Sequence, residues 1–190
     1  PHPASEVAPP PLATVEVFYL VRCPHCEYFL TSGLTKLVEA QLPGDKVKIN
    51  LVPMYPPMLK ATYDFALCQQ QDWCRLALAP LCALRDTLAQ PAAADSPALR
   101  RGVRFAACDL ANTAEGRART PTAIGDCAEA AGLDEDDVRH CAEGTEALGV
   151  LRLASAPLLR AIDILSGNFG FVDPPSMPWV FLNGQPLSCD

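Results

Sequence analysis

The sequence predicts a mixed α/β domain in which a strand–helix–strand core is split by a helical, cysteine-rich insertion. Three observations carry that prediction. "VEVFYLV" (15–21), a helical pattern and "KVKINLV" (46–52) follow one another at the lengths of a βαβ unit. From about 59 to 170 the texture changes to Ala/Leu/Arg-rich, and six of the nine cysteines fall there. Strand character then returns in "MPWVFLNGQPL" (177–187). The expected organisation is a Pro-rich flexible tail over 1–13 and a single domain over 14–190. Its core is 14–53 plus 176–188, and its helical insertion is about 59–170.

Each element has a local reason. "VEVFYLV" is β-branched and aromatic with little alternation, as a strand buried on both faces should be. Cys23 then takes the N-cap of a helix and Pro24 its first position, where a missing N–H costs nothing. Leu30, Leu34, Leu37, Val38 and Leu42 fall on one face of that helix, and Pro43-Gly44 stops it. "KVKINLV" puts Val47, Ile49 and Leu51 on one side, which makes it the second strand, parallel to the first. Within the insertion, helices are expected over about 60–89, 121–131, 134–142 and 145–165, interrupted by "QPAAADSPA" (90–98). The acidic run "DEDD" (134–137) suits the first turn of a helix. Asn183-Gly184 after the run Trp179–Leu182 is a hairpin turn signal. Six residues follow Gly184, so either the chain has been trimmed or the sheet is completed differently.

Composition excludes several classes. A net charge of −7 without a Lys/Arg cluster argues against a nucleic-acid surface. No apolar run approaches the roughly 18 residues of a membrane span. Nine cysteines in a reducing cytosol would imply metal sites, yet the spacings after Cys26 are irregular and no second C-x-x-C exists. No metal is therefore expected. The cysteines point to an oxidising endomembrane or secretory route, and a chain opening at Pro1 is compatible with a removed leader.

The chemistry lies in "CPHC", Cys23-Pro24-His25-Cys26. A C-x-x-C opening the helix of a βαβ unit is the thioredoxin-like redox arrangement. At the N-cap, Cys23 faces unsatisfied N–H groups and the positive end of the helix dipole, both of which favour thiolate. His25, when protonated, adds positive charge in the same turn. Cys23 is thus the expected attacking sulfur and Cys26 the resolving one. An inert staple would gain nothing from a helix N-cap beside His and Pro. Cys74 and Cys82 lie eight residues apart on an expected helix, about 12 Å at ~1.5 Å per residue, beyond the reach of a disulfide. The six insertion cysteines, Cys68, Cys74, Cys82, Cys108, Cys127 and Cys141, are expected to form three structural bridges of open connectivity. Cys189 is left free or joined to another chain. His140, on a polar helix beside Cys141, is expected to be exposed without a role.

The ordered cysteines resemble those of the gamma-interferon-inducible lysosomal thiol reductase (GILT) family. The likeness runs over about 14–188: the C-x-x-C, "CQQQDWC" (68–74), Cys82, the single cysteines at 108, 127 and 141, and "PPSMPWVFLNG" (174–184). "CQQQDWC" is one residue shorter than the family's Cys-Gln-His-Gly-x-x-x-Cys and lacks its His and Gly. No Asn-x-Ser/Thr sequon occurs, which argues against the glycan route of lysosomal sorting for this chain. The resemblance implies a thioredoxin-like fold and a thiol oxidoreductase that reduces protein disulfides through Cys23 and Cys26, at acidic pH. It needs no cofactor beyond a small thiol reductant such as cysteine or glutathione. Its partners are disulfide-containing proteins and small thiols, and its compartment is lysosomal, endosomal or extracellular. Thioredoxin-like folds also imply that Pro178 is cis and faces the redox pair, leaving Met177's backbone to pair with an extended substrate, with Trp179 as core or groove wall. Two other classes stay open: a disulfide oxidase or isomerase of the same fold, since Pro-His is also the dipeptide of an oxidising periplasmic family, and a redox-silent binding protein.

Overall fold

The computed structural model describes residues 13–54, 68, 70, 72–113, 122–169 and 177–187. The Pro-rich tail before Ala13, most of the expected helix between 60 and 71, Pro174-Pro175 and Cys189 lie outside the described residues.

Strand β1 (Ala13–Leu20) is the centre of the sheet, and its middle is buried on both faces. It pairs in parallel with β2 (Val47–Met54), from Ala13 opposite Val47 to Leu20 opposite Met54. On its other side it pairs antiparallel with β4 (Trp179–Leu182), Phe18 opposite Trp179. Two short strands complete the order β3-β2-β1-β4-β5: β3 (Ala92–Ala93) beside β2, and β5 (Gln185–Pro186) beside β4. Strand β3 has no counterpart among the sequence expectations; two alanines carry no strand signal. The β4–β5 turn is Asn183-Gly184, with φ of 51° and 77°, the paired left-handed residues that a tight hairpin needs. Asn183 also clasps the start of β1, its Oδ1 accepting from the Thr14 N–H at 2.7 Å. Phe18 and Phe181 meet edge to face, centroids 5.6 Å apart, as a diagonal cross-strand pair.

The helix after β1 runs as α1 (Pro24–Phe29), a π-helical turn (Leu30–Leu34) and α2 (Thr35–Glu39). In the wide turn the Thr35 N–H reaches back five residues to the Leu30 carbonyl, and the Thr35 hydroxyl donates to the same oxygen at 2.7 Å. Cys26, Leu30, Leu34 and Val38, spaced by four, form its buried face.

The insertion is helical: α3 (Asp72–Ala83), α4 (Arg85–Leu88), α5 (Pro97–Thr113), α6 (Ala123–Ala131), α7 (Glu135–Glu143) and α8 (Glu146–Phe169). Two expectations need correction. The helix expected to run unbroken to 89 is interrupted at Leu84, whose φ of −102° and ψ of 1° leave the helical region. Helix α5 was not expected at all, although Ser96 and Pro97 open it and Leu99, Val103, Ala106 and Leu110 form its buried stripe. At the acidic run, Asp134 caps α7, its Oδ1 accepting from the Asp137 N–H at 3.0 Å. Helix α6 ends at Gly132, φ 69°, with Leu133 N–H returning to the Ala128 carbonyl, a Schellman closure.

Three disulfides staple these helices: Cys68–Cys74, Cys82–Cys141 and Cys108–Cys127. The second joins α3 to α7 and the third α5 to α6. Arg85 adds a polar tie, reaching Asp137 at 2.6 Å and Glu146 at 3.5 Å. The hydrogen bond to Asp137 raises its guanidinium pKa above the ordinary value.

Candidate functional site

The site forms at the carboxyl end of β1. Val21 and Arg22 turn the chain out of the sheet, Arg22 in the left-handed region at φ 64°. Cys23 follows in extended backbone as the N-cap, Pro24 is the first helical residue, and the Glu27 N–H closes the first turn on the Cys23 carbonyl at 2.9 Å. Extended backbone at 23 is what a following proline favours, so the sequence itself sets the cap.

The two sulfurs have different surroundings. Both are free thiols; Cys23 is half-buried, whereas Cys26 is 0% exposed and belongs to the core. The Cys23 sulfur accepts a hydrogen bond from the Cys26 backbone N–H at 3.4 Å. Burial pushes the Cys26 thiol pKa up; its hydrogen bond to Cys23 and the charge there push the same way, against a hydrogen bond from the Leu20 backbone. Cys26 is therefore held as a neutral thiol behind an accessible sulfur. Pro24 and His25 are exposed between them.

On the neighbouring strand, the Met177–Pro178 peptide bond is cis. Continuing the β1–β4 register beyond Phe18–Trp179 sets Pro178 beside Tyr19 and Met177 beside Leu20, at the same end of the sheet as Cys23. Both residues are half-buried, and Met177 and Cys23 pack against the same core. Trp179 is buried, so its ring supports the strand from within. His140 is exposed on α7, with Nδ1 2.7 Å from the Asp136 carbonyl oxygen. Among the described residues, no group of three or more His, Cys, Asp and Glu could hold a metal ion.

Two residues at this turn escaped the sequence reading. Arg22 directly precedes Cys23, and its Nε is buried without a hydrogen bond among the described residues. Tyr28, three positions past His25 on the same helical face, is 74% exposed. The available signal was a cation ending an apolar strand one residue before a C-x-x-C.

Solved structures share this architecture. The fold is similar to that of the oxidoreductase DsbA from Xylella fastidiosa, with a TM-score of 0.50 and 20% identity over 93% of this chain and 79% of the other. It is similar to DsbA from Chlamydia trachomatis, with a TM-score of 0.53 and 12% identity over 93% and 77%. It is also similar to MdbA, a thiol-disulfide oxidoreductase from Actinomyces oris, with a TM-score of 0.54 and 15% identity over 93% and 73%. The fold is thus thioredoxin-like, with the disulfides in its helical part. No curated protein sequence matches the chain. Residues 14–131, well over half of the chain, match the family described as gamma interferon inducible lysosomal thiol reductase (GILT). The chain belongs to that family and is a thiol-disulfide oxidoreductase. Among the described residues, no helix is long and apolar enough to cross a membrane.

Proposed function

We propose that the chain reduces protein disulfides through a Cys23/Cys26 dithiol cycle, working in an acidic compartment of the lysosomal, endosomal or extracellular route. The observation that carries this reading is the asymmetry of the pair: an accessible sulfur at the helix N-cap and a buried, neutral thiol one turn behind it.

The cycle balances as follows. Cys23 thiolate attacks one sulfur of a substrate disulfide; an S–S bond forms to Cys23, the substrate S–S bond breaks, and the leaving sulfur takes the electron pair and then a proton. Cys26 loses its proton and attacks the Cys23 sulfur, releasing the second substrate thiol. Two small thiols such as cysteine or glutathione then reduce the Cys23–Cys26 disulfide and leave as their own disulfide. No other cofactor is required. Met177 and Pro178 border the path of an extended substrate segment, which would add to the sheet end beside them.

Acidity enters through His25. A protonated imidazole exposed in this turn would place positive charge near Cys23 and support thiolate where free thiols are least reactive. Three structural bridges favour an oxidising compartment on the same reasoning as the cysteine content.

The exposed Pro24-His25 dipeptide also suits a disulfide oxidase or isomerase of the same fold. One experiment separates the readings: reduction of a folded disulfide protein by a small thiol, followed from pH 4 to 8 with and without the chain. Catalysis strongest at the acid end, with a His25→Ala defect larger at pH 5 than at pH 7, supports the reductase. No catalysis of reduction, together with efficient oxidation of a reduced substrate, supports the alternative.

A further inference from the structure

We infer that Arg22 is a specificity residue that receives a carboxylate carried next to the sulfur under attack, an inference that rests on the Cys23 reading above. Four arginines of the described residues already hold carboxylates: Arg85 with Asp137, Arg104 with Glu39, Arg139 with Glu135 and Arg160 with Glu16. Arg22 has no such partner among the described residues, although it is half-buried and its Nε is wholly so. A buried donor without an acceptor is costly, and a turn of the side chain that brings the guanidinium out to an incoming acceptor recovers that cost.

The backbone sharpens the point. Arg22 adopts φ 64°, a region that favours glycine and asparagine. Turn geometry alone would select one of those. An arginine adds only its stem and its positive charge, in a chain whose net charge is −7. A guanidinium is a planar fork that matches a carboxylate with two parallel hydrogen bonds. Its position, one residue before Cys23, sets which carboxylates it meets. Any substrate that brings a sulfur to Cys23 brings the groups adjoining that sulfur to the turn that carries Arg22. These are the carboxylates of glutathione, or an acidic residue flanking a substrate cysteine. The shared chemistry is a carboxylate beside a thiol or disulfide.

Alkylation of Cys23 tests this without turnover, so failure of the reductase reading would leave the result intact. The reduced full chain, its three structural bridges kept, is treated with iodoacetate or neutral iodoacetamide, and Cys23 is followed by peptide mass. In both reactions the sulfur displaces iodide, so only the reagent's charge differs. Two unit charges about 4 Å apart in water correspond to roughly a five-fold change in rate. The iodoacetate-to-iodoacetamide rate ratio should therefore fall about five-fold in Arg22→Gln and recover in Arg22→Lys. In the unmodified chain it should fall similarly at about 1 M salt, where the screening length is about 3 Å. Arg22→Asn, which suits the left-handed backbone, should repeat the Arg22→Gln result with the fold preserved. Equal losses with both reagents would mean that Arg22 acts on the sulfur alone and would overturn the inference, as would an unchanged ratio.

Substrate arms then locate the carboxylate. A preference for glutathione over its diethyl ester that Arg22→Gln abolishes assigns it to the small thiol. A preference for peptide disulfides with Asp over Asn beside the cysteine assigns it to the protein substrate. Absence of both preferences counts against the inference.

Discussion

The backbone N–H of Cys26 donates to the Cys23 sulfur at 3.4 Å, so the resolving residue supports the attacking one before any substrate arrives. The relationship follows from the cap: the side chain at an N-cap accepts from an N–H two or three positions on. Placing a cysteine there converts a structural cap into support for a thiolate, and places the second cysteine one turn deeper.

That geometry predicts an order of attack. Cys26→Ser should leave Cys23 able to form a mixed disulfide but unable to release it, so substrate adducts accumulate. Cys23→Ser should accumulate none, because Cys26 is buried. Thiol-trapped samples on non-reducing gels read this directly. Equal trapping by both variants, or by neither, would remove the assigned order.

The Cys26 thiol also predicts a pH dependence of stability in the reduced form. Burial holds the folded thiol pKa above its ordinary range, whereas the unfolded thiol titrates near 8.5. Above that value the unfolded chain binds fewer protons than the folded one, so stability falls as pH rises. Below about pH 8.5 this contribution is fully present. The slope can reach about 1.4 kcal/mol per pH unit for one thiol. Urea unfolding of the dithiol form between pH 7 and 10 should show the fall, and Cys26→Ala should be flatter. Identical slopes for the two would contradict the burial argument.

Much of this was legible because local patterns decided it. "VEVFYLV", the Cys23-Pro24 cap, the Trp179–Leu182 run and Asn183-Gly184 each contain their own physical reason, and the fold resemblance added the cis proline ahead of the late strand. What was not legible depended on tertiary contact. Helix α5 carries its Ser96-Pro97 start, but the proline- and alanine-rich stretch before it reads as an interruption, and Gly102 weakens the helical signal. Strand β3 exists only because Lys48 and Ile49 offer an edge to Ala93 and Ala92. The pairing of Cys82 with Cys141 could not be read from spacing, since it requires knowing that α3 packs on α7. At the turn, Arg22 drew no reading from the sequence, because its left-handed backbone and buried Nε are set by the fold around it.

The three bridges should differ in their effect on stability. In the chain-entropy picture the contribution grows with the loop closed. Cys82–Cys141 spans 59 residues, Cys108–Cys127 spans 19 and Cys68–Cys74 only 6. Paired alanine substitutions should therefore cost about 4, about 3 and about 2 kcal/mol in that order. Chemical unfolding of the three double variants gives the ranking. Loss of Cys68–Cys74 proving the most damaging would show that native packing around that bridge outweighs loop closure.

The last prediction concerns a buried acid in the central strand. Glu16 is 6% exposed in the middle of β1, directly opposite Asn50, whose own Oδ1 is buried without a hydrogen bond among the described residues. Two acceptors thus stand side by side in the sheet, and the cation that meets Glu16 is Arg160 from α8. Arg160 is 57% exposed at its side chain, so solvent weakens the pair from outside while burial raises its stakes from within. Arg160→Ala should cost about 1–3 kcal/mol, mostly because it leaves a buried carboxylate unsatisfied. Glu16→Leu combined with Arg160→Ala should be more stable than Arg160→Ala alone, since the orphaned charge is then gone. A double-mutant cycle in urea measures the coupling. If Arg160→Ala changes stability by less than about 0.5 kcal/mol, the pair is an ordinary surface contact and Glu16 is satisfied by solvent. If the double variant is the worst of the set, the carboxylate itself, rather than its pairing, is what this part of the sheet requires.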